Sequence, residues 1–208
     1  HSSIARVRAA EANGGFDAEL WKGLAEQGAL SIRVPEAAGG LGMGLFDAVV
    51  LMEEAGRTLA SGPLAEALVA LRIGTMLGSD AIPWAKALEG EQVVSLALHD
   101  IADRPKQWIA GGTAADAVVA RRGADVVVVA VPENARPKQA TLAGNALGEI
   151  DLGALDATVL ASGADAVAAF EAGVEEWKLL IAAALAGLGR QALKLASEYA
   201  CERIQFGQ

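Results

Sequence analysis

The sequence predicts a mostly α-helical protein with a small β-domain, that is, an α+β fold. Apolar residues recur with helical spacing before about residue 90 and again after about residue 163, whereas the stretch between them contains short β-branched runs. We therefore expect an N-terminal helical domain over residues 1–90 and a small antiparallel β-domain over residues 91–162. Residues 163–208 would form the first helices of a C-terminal bundle.

The N-terminal domain is predicted to contain an amphipathic helix that ends at the proline and glycine cluster of residues 35–42. A second amphipathic helix is expected over residues 45–59, and Pro63 suits the first position of a third helix. Pro83 predicts one further short helix. The apolar residues that indicate the first helix are Phe16, Leu20, Trp21, Leu24 and Ala25.

The β-domain is predicted from four apolar runs of strand length, at residues 93–98, 117–120, 126–131 and, more weakly, 157–161. The glycine, asparagine and proline residues between these runs are typical of turns. Because the connections are too short for crossover helices, we expect antiparallel pairing.

A long helical pattern closes the chain over residues 175–205, which corresponds to about 31 residues or roughly 46 Å. Its apolar residues alternate at spacings of four and three, as in the contact line of a helical bundle. Lys194 and Glu198 lie four residues apart on its polar side. Nothing else in the sequence offers this helix a partner. The apolar line consists of Ile181, Leu185, Leu188, Ala192, Leu195 and Tyr199.

Composition and charge narrow the possible functions. The 208 residues carry a formal net charge of −9, which disfavours a surface for nucleic acid or for an anionic membrane. The single cysteine cannot form an intrachain disulfide and favours a cytoplasmic protein. With two histidines and one cysteine, we expect no metal site. The longest apolar run, near residues 179–189, is shorter than the roughly 20 residues that cross a bilayer.

Arg203 is the first candidate for a binding residue because it follows Tyr199 by four positions and so continues the apolar line. A guanidinium on such a face needs an acceptor, since an unpaired buried charge costs several kcal/mol. Its planar fork fits a phosphate or a carboxylate, which indicates a phosphorylated ligand or an acidic partner. The alternative is an arginine that interacts only with the last carbonyl groups of its helix.

Trp108 leads into the Gly111-Gly112 pair, and two interpretations remain open. The indole could stack on a flat ring while the glycines allow a close backbone approach. Alternatively, it is a core tryptophan at the start of a strand.

Two carboxylate pairs, Glu53-Glu54 and Glu175-Glu176, could suggest acid–base chemistry. Adjacent side chains on a helix point about 100° apart, so neither pair can face one substrate together. We therefore predict that both pairs are solvated surface. The residues predicted to allow close helix packing are Gly187 and Gly189, and Cys201 is predicted to be a small packed thiol.

Four stretches carry a combined signature: residues 20–28 with 34–42, residues 53–57 with Pro63, residues 106–112, and residues 199–207. In this order they resemble the acyl-CoA dehydrogenase family, and the last stretch is the most specific match. The family has an N-terminal helical domain, a middle β-domain and a C-terminal four-helix bundle around FAD. The resemblance covers nearly the whole chain and implies the same fold.

The resemblance also implies a flavoprotein of fatty acid or lipid metabolism that dehydrogenates an acyl-CoA thioester between Cα and Cβ. The chain would form a homo-oligomer, or a hetero-oligomer with a full-length subunit, and would complete a FAD site shared with its neighbour. Arg203, Gln205, Phe206 and Gly207 would contact FAD bound mainly by that neighbour. Trp108, Ile109 and Ala110 would lie near the flavin ring.

Two departures from the family pattern argue for a different role. The loop that usually contacts flavin and thioester is missing, since residues 99–105 run almost directly into Lys106. In a minority of the family the catalytic glutamate lies 26 residues before the arginine that Arg203 matches, and here that position is Trp177. The sequence therefore names no catalytic residue. It is similar to a short branch whose members pair with a full-length partner.

These departures leave two alternatives to a dehydrogenase subunit. The first is a non-catalytic scaffold or regulatory subunit of the same fold that does not bind FAD. The second, weaker alternative is an unrelated α-helical interaction protein.

Overall fold

The computed structural model describes residues 4–78, 84–138, 141 and 144–205. Within these ranges, helices come first, strands follow, and one long helix comes last, which confirms the predicted α+β class. The helices are α1 Ile4–Glu11, α2 Ala18–Glu26, α3 Leu45–Arg57, α4 Leu64–Leu77, α5 Trp84–Leu88 and α6 Ala164–Glu202. The strands are β1 Val94–Leu96, β2 Lys106–Ile109, β3 Ala117–Arg122, β4 Asp125–Ala130, β5 Gly148–Asp151 and β6 Ala157–Ser162.

The start of α2 is capped and tied to α1. The Asp17 carboxylate accepts a hydrogen bond from the backbone N–H of Leu20 at 2.9 Å, as an N-cap residue should. Arg6 of α1 donates to the same carboxylate, with Nη2 2.8 Å from Oδ1. The hydrogen bond from Arg6 lowers the pKa of Asp17, so this contact remains charged at neutral pH.

The third predicted helix is found where Pro63 placed it, as α4, and Pro63 is its N-cap residue. α4 is apolar on nearly every side and is buried accordingly. It contacts α6 and β1, so the helices and the four-stranded sheet share one core that includes Leu68, Val94 and Leu180. Pro83 lies outside the described residues, and the short helix predicted there is described from Trp84.

The strands form a four-stranded sheet in the order β1-β3-β4-β6 and a separate pair, β2-β5. Most neighbouring strands are antiparallel, as predicted, but β1 and β3 are parallel. The segment 97–116 between them contains β2 and its turns, and it is long enough to carry the chain back without a helix. The expectation of a wholly antiparallel domain was therefore wrong at this one pair.

The sequence prediction missed β2 and β5. Only alternate residues of β2 point inward: Gln107 and Ile109 are buried, whereas Lys106 and Trp108 are exposed. β5 contains a glycine and two acidic residues. Neither segment has the β-branched run that indicated the other strands.

α6 is one continuous helix of 39 residues, whereas we predicted several helices with the long one over residues 175–205. The helix begins earlier because residues 164–172 contain no helix breaker and Phe170 is buried in the core. It ends earlier because Arg203 leaves the helical conformation, with ψ at 120°. By length and composition α6 could cross a membrane, and 17% of its apolar window is buried. Its contacts with α3 and α4 are those of a packed helix.

Candidate functional site

Trp108 lies on β2, and its side chain is 48% exposed. The alternative of a core tryptophan is therefore wrong. The neighbouring residues hold this edge in place: Ile109 is fully buried, and the carbonyl oxygen of Ala110 accepts a hydrogen bond from Ser95 Oγ at 2.7 Å. The result is a broad, flat indole surface on a fixed backbone, which suits stacking with a planar ring.

The turn after β2 packs against the start of α4. Gly111 has φ at +71°, a conformation that favours glycine. A Cβ at this position would also collide with the ring of Pro63. The turn thus brings the Trp108 edge against the first residues of α4.

The shortened loop of residues 99–105 is closed by Gln107. Its amide nitrogen donates to the carbonyl oxygens of His99 at 3.2 Å and Arg104 at 2.9 Å, and its amide oxygen accepts from the backbone N–H of His99 at 3.2 Å. A buried glutamine at this position replaces backbone pairing across the loop. The shortened loop predicted from the sequence is therefore a turn whose ends are hydrogen-bonded to the Gln107 side chain.

Arg203 follows α6 and is exposed. Its guanidinium lies 5.2 Å from the centre of the Tyr199 ring. With the Gln205 amide oxygen turned toward it, Gln205 accepts hydrogen bonds from Nε of Arg203 at 3.0 Å and from Nη2. Within the described part of the chain, no carboxylate lies at ion-pairing distance from Arg203. Phe206 and Gly207, the other residues predicted at this end, lie outside the described residues.

The two ends of the predicted flavin site are not joined within this chain. Among the described residues, no hydrogen bond, ion pair or ring contact links Arg203 or Gln205 to the Trp108–Ala110 edge. Trp177 of α6 contacts α4 through Glu66, and the rise of an α-helix puts Arg203 roughly 39 Å along the axis from Trp177. The contacts within the described residues therefore do not assemble these two groups into one site.

Trp177 has a partner that the sequence analysis did not identify. Its indole Nε1 donates to Glu66 Oε1 of α4 at 2.8 Å. Glu66 is 7% exposed, and burial raises the pKa of its carboxyl group. The sequence feature that could have indicated this contact was Glu66 itself, a glutamate in the otherwise apolar first half of α4. The Glu66 carboxyl group is thus hydrogen-bonded to the side chain of residue 177, the position at which a minority of the resembled family carries a catalytic glutamate.

Glu176, predicted to be solvated, is buried in a cluster of two arginines. Its oxygens lie 3.1 Å from Arg33 Nε and 3.0 Å from Arg72 Nη2, and its side chain is 7% exposed. Both arginines are mostly buried as well. The prediction failed because it compared Glu176 only with the neighbouring Glu175, which is exposed. It did not consider Arg33 and Arg72, which are distant in the sequence and contact Glu176 in the fold. This cluster fastens α6 to the N-terminal helices.

The other predicted carboxylate pair lies at the surface. Glu54 accepts from Arg57 Nη2 at 2.5 Å, and this hydrogen bond lowers the pKa of Glu54. Glu53 pairs with Arg190 of α6. Glu53 thus joins α3 to α6, whereas the Glu54–Arg57 pair lies within α3.

Of the two glycines predicted to allow close packing, one does so. A Cβ on Gly187 would collide with the backbone carbonyl of Glu53, so α3 and α6 approach at backbone distance there. Gly189 has no atom within 4 Å of such a Cβ. Cys201, predicted to be packed, is exposed. Both deviations occur beyond Gly187, the last residue of α6 that is buried among the described residues.

Comparison with known proteins gives a consistent result. Residues 2–82 match the model of the acyl-CoA dehydrogenase N-terminal domain. The chain is 28% identical over 211 residues to acyl-CoA dehydrogenase IpdE2 of Mycobacterium tuberculosis, a match that covers 100% of this chain and 61% of that protein.

Solved structures agree with this match. The "Tcur3481-Tcur3483 steroid ACAD" structure has a TM-score of 0.78 and 26% identity, covering 100% of this chain and 64% of that one. The "ChsE4-ChsE5 complex from Mycobacterium tuberculosis" has a TM-score of 0.74 and 26% identity, covering 93% and 60%. The chain thus spans about three-fifths of the length of these relatives. In sequence and in fold, the chain is therefore similar to acyl-CoA dehydrogenases, and its residues 2–82 match the N-terminal domain of that family.

Proposed function

We propose that this chain is a cytoplasmic subunit of an acyl-CoA dehydrogenase-type flavoprotein and completes a FAD site shared with a neighbouring subunit. The reaction would be α,β-dehydrogenation of an acyl-CoA thioester. The observation that carries the proposal is the exposed Arg203, which Gln205 orients while no carboxylate of the described chain pairs with it. A guanidinium has five N–H donors, and those not taken by Gln205 are free to bind a phosphate.

The Trp108 edge fits the other end of such a cofactor. Its exposed indole can stack on a ring, and the turn after it is held against Pro63. When bound, FAD supplies the acceptor for the hydride that leaves Cβ. Trp108, Ile109 and Ala110 would orient the ring system, and Arg203, Gln205, Phe206 and Gly207 would bind the charged part of a cofactor held by the neighbour.

A shared site accounts for the lack of contact between these two groups among the described residues. The exposed apolar residues of its second half, such as Leu193 and Tyr199, supply a surface for the neighbouring subunit. Two similar structures are named as pairs of different proteins, ChsE4-ChsE5 and Tcur3481-Tcur3483, and the second is called a steroid ACAD. These names support a hetero-oligomer with a full-length subunit, and a fatty or sterol-derived acyl group on the thioester.

A second candidate is a non-catalytic scaffold subunit that keeps the fold without binding FAD. Trp177 favours this candidate, because an indole at that position cannot remove a proton from Cα. The shortened loop of residues 99–105 also favours it, since Gln107 satisfies its backbone internally.

The test is to produce the chain together with a candidate full-length acyl-CoA dehydrogenase subunit. We expect a complex with the absorption bands of oxidised flavin that reduces an artificial electron acceptor when acyl-CoA is added. Arg203→Ala should weaken FAD binding about tenfold or more, because charge-assisted hydrogen bonds to the cofactor are lost. Lys194→Ala is the matched control, since it removes an exposed cation of the same helix.

The outcomes separate the candidates. A stable but colourless complex would support the scaffold, and full FAD retention in Arg203→Ala would exclude the proposed role of Arg203. Colourless and inactive material in every pairing would overturn the proposed enzyme function.

A further inference from the structure

Two buried polar side chains hold the strand on either side of Trp108. Ser95 is 0% exposed and Gln107 is 6% exposed. Ser95 Oγ donates to the carbonyl oxygen of Ala110, two residues after Trp108. The Gln107 side chain, one residue before Trp108, binds the loop of residues 99–105. Two of the four buried polar side chains among the described residues thus serve one short strand edge.

These side chains stand in for a backbone connection. β2 pairs through its backbone with β5, and within the described part of the chain no backbone ladder joins β2 to the four-stranded sheet. The polar link to β1 and the loop after it comes from the Ser95 hydroxyl and from the Gln107 amide, which donates two hydrogen bonds and accepts one. Loss of these bonds would loosen β2 from the sheet.

The loop that Gln107 binds is itself fixed from the opposite side. One oxygen of Asp100 accepts a hydrogen bond from the backbone N–H of Gly123 at 3.0 Å, and Arg121 Nε lies 3.3 Å from the other oxygen. Arg121 also donates to Glu171 of α6 at 2.7 Å. Gln107 therefore ties β2 to a loop that is anchored to the β3–β4 turn and, through Arg121, to α6.

We propose that Ser95 and Gln107 are positioning residues that act through Trp108. They hold the strand that presents the indole, so that its exposed face is set before a planar ring stacks on it. The inference rests on the proposed function, because the flavin is the ring that this function requires. A side chain that must first be ordered weakens binding by the cost of its ordering, and a preset side chain avoids that cost.

A purely structural role is the competing explanation. In that case the two side chains only satisfy buried backbone groups, and their loss lowers stability without moving Trp108. The surroundings of Trp108 favour positioning. Its side chain is 48% exposed, and among the described residues no hydrogen bond or ring contact holds the indole itself. The location of the indole therefore depends on the strand that carries it.

The test places 5-fluorotryptophan at the four tryptophans of the chain. Fluorine NMR spectra are recorded on the purified protein without flavin, in complex with its partner subunit where it forms one, and Trp108→Phe assigns the Trp108 signal. Ser95→Ala and Gln107→Met remove the hydrogen bonds with little change in side-chain size. Each should shift, split or broaden the Trp108 signal, while the other three signals keep their positions.

Ser31→Ala is the matched control. It also removes a hydrogen bond from a serine hydroxyl to a backbone carbonyl, that of Gly28 at 3.0 Å, but in the N-terminal helical region. A Trp108 signal that is unchanged in the Ser95 and Gln107 variants, or that changes equally in Ser31→Ala, would overturn the inference. Should Gln107→Met fail to fold, Ser95→Ala decides the result.

A second measurement asks whether the two residues act through the indole. In the complex with FAD, Ser95→Ala and Gln107→Met should each weaken FAD binding about twofold to tenfold, the cost of ordering one side chain. In a Trp108→Leu background the same substitutions should weaken it no further, because their effect passes through Trp108. An equal loss in both backgrounds would contradict the positioning role.

The fluorine result is independent of flavin and of turnover. A changed Trp108 signal in a protein that binds no FAD in any pairing would support the positioning role and contradict the proposed enzyme function. An active flavin complex with an unchanged Trp108 signal in both variants would do the reverse.

Discussion

The two halves of α6 have similar apolar spacing and opposite environments. In the first half, Phe170 and Leu180 are almost completely buried against the N-terminal helices. In the second half, Leu193 is 72% exposed and Tyr199 55% exposed. An apolar line in a helix sequence therefore predicts that a face will be covered, but it does not identify the chain that covers it.

The change occurs where α3 ends. Gly187 is the last buried residue of α6, and it packs against the backbone of Glu53. Beyond it, the polar contacts that α3 makes with α6 among the described residues are two: Glu53 pairs with Arg190, and Arg57 Nη1 lies 3.5 Å from Gln191 Oε1. The first half is thus a core helix of this chain, and the second half is a surface that suits a bundle partner.

The comparison can be tested most strongly at Glu176 in the first half. We expect Glu176→Ala to lower the free energy of unfolding by about 3–5 kcal/mol, because it leaves Arg33 and Arg72 buried without their shared carboxylate. Urea denaturation followed by circular dichroism measures the loss. Glu175→Ala is the control and should change the value by less than about 0.5 kcal/mol, since Glu175 pairs only with exposed Lys178. Equal effects of the two substitutions would show that the cluster does not fasten α6.

A pair of leucines tests the two halves with the same substitution. Leu180 is 0% exposed, so Leu180→Ala should cost about 2–5 kcal/mol in the free energy of unfolding. Leu195 is 53% exposed, so Leu195→Ala should change the free energy of the chain alone by no more than about 0.5 kcal/mol. In a complex with a partner subunit, Leu195→Ala should instead weaken association. A large effect of Leu195→Ala on the chain alone would mean that the second half is already covered.

These differences show how far the sequence could lead. Local sequence patterns predicted most helices and four strands, and they indicated Trp108 and Arg203 as candidate residues. These predictions were possible because periodicity, turn residues and short motifs lie within a few neighbouring positions. Long-range contacts were missed. Glu176 meets Arg33 across 143 positions, and Trp177 meets Glu66 across 111. Nothing local distinguishes Glu176 from its solvated neighbour, and only the folded chain brings these groups together.

The two glycines of α6 locate the boundary between its halves. An alanine is intrinsically better than glycine in a helix by about 1 kcal/mol, so Gly189→Ala should raise the free energy of unfolding slightly. Gly187→Ala should instead lower it by about 1–3 kcal/mol, because the added Cβ would separate α3 from α6. Thermal unfolding of the two variants gives the comparison directly. A stabilising Gly187→Ala would show that the close approach of α3 and α6 is not required.

The smallest expected effect concerns the hydrogen bond between Glu66 and the first half of α6. The folded chain holds the pKa of Glu66 above its ordinary value of 4.5, whereas the unfolded chain does not. Below that ordinary value both states keep the proton and burial has no charge penalty. As the pH rises, the unfolded state loses its proton first, so the wild type loses stability until the pH passes the raised pKa. Glu66→Gln keeps an acceptor for Trp177 and has no such loss.

The unfolding free energy of Glu66→Gln minus that of the wild type should therefore increase between pH 4 and neutral pH. Urea denaturation of both proteins at matched pH values measures this difference, and the titration of carboxylates shared by both proteins cancels. Asp17 and Glu54, whose pKa values are lowered by arginines, titrate alike in the two. A difference that decreases with pH would mean that Glu66 is ionised in the folded chain. In that case α4 would place a second buried negative charge against the first half of α6, in addition to that of Glu176.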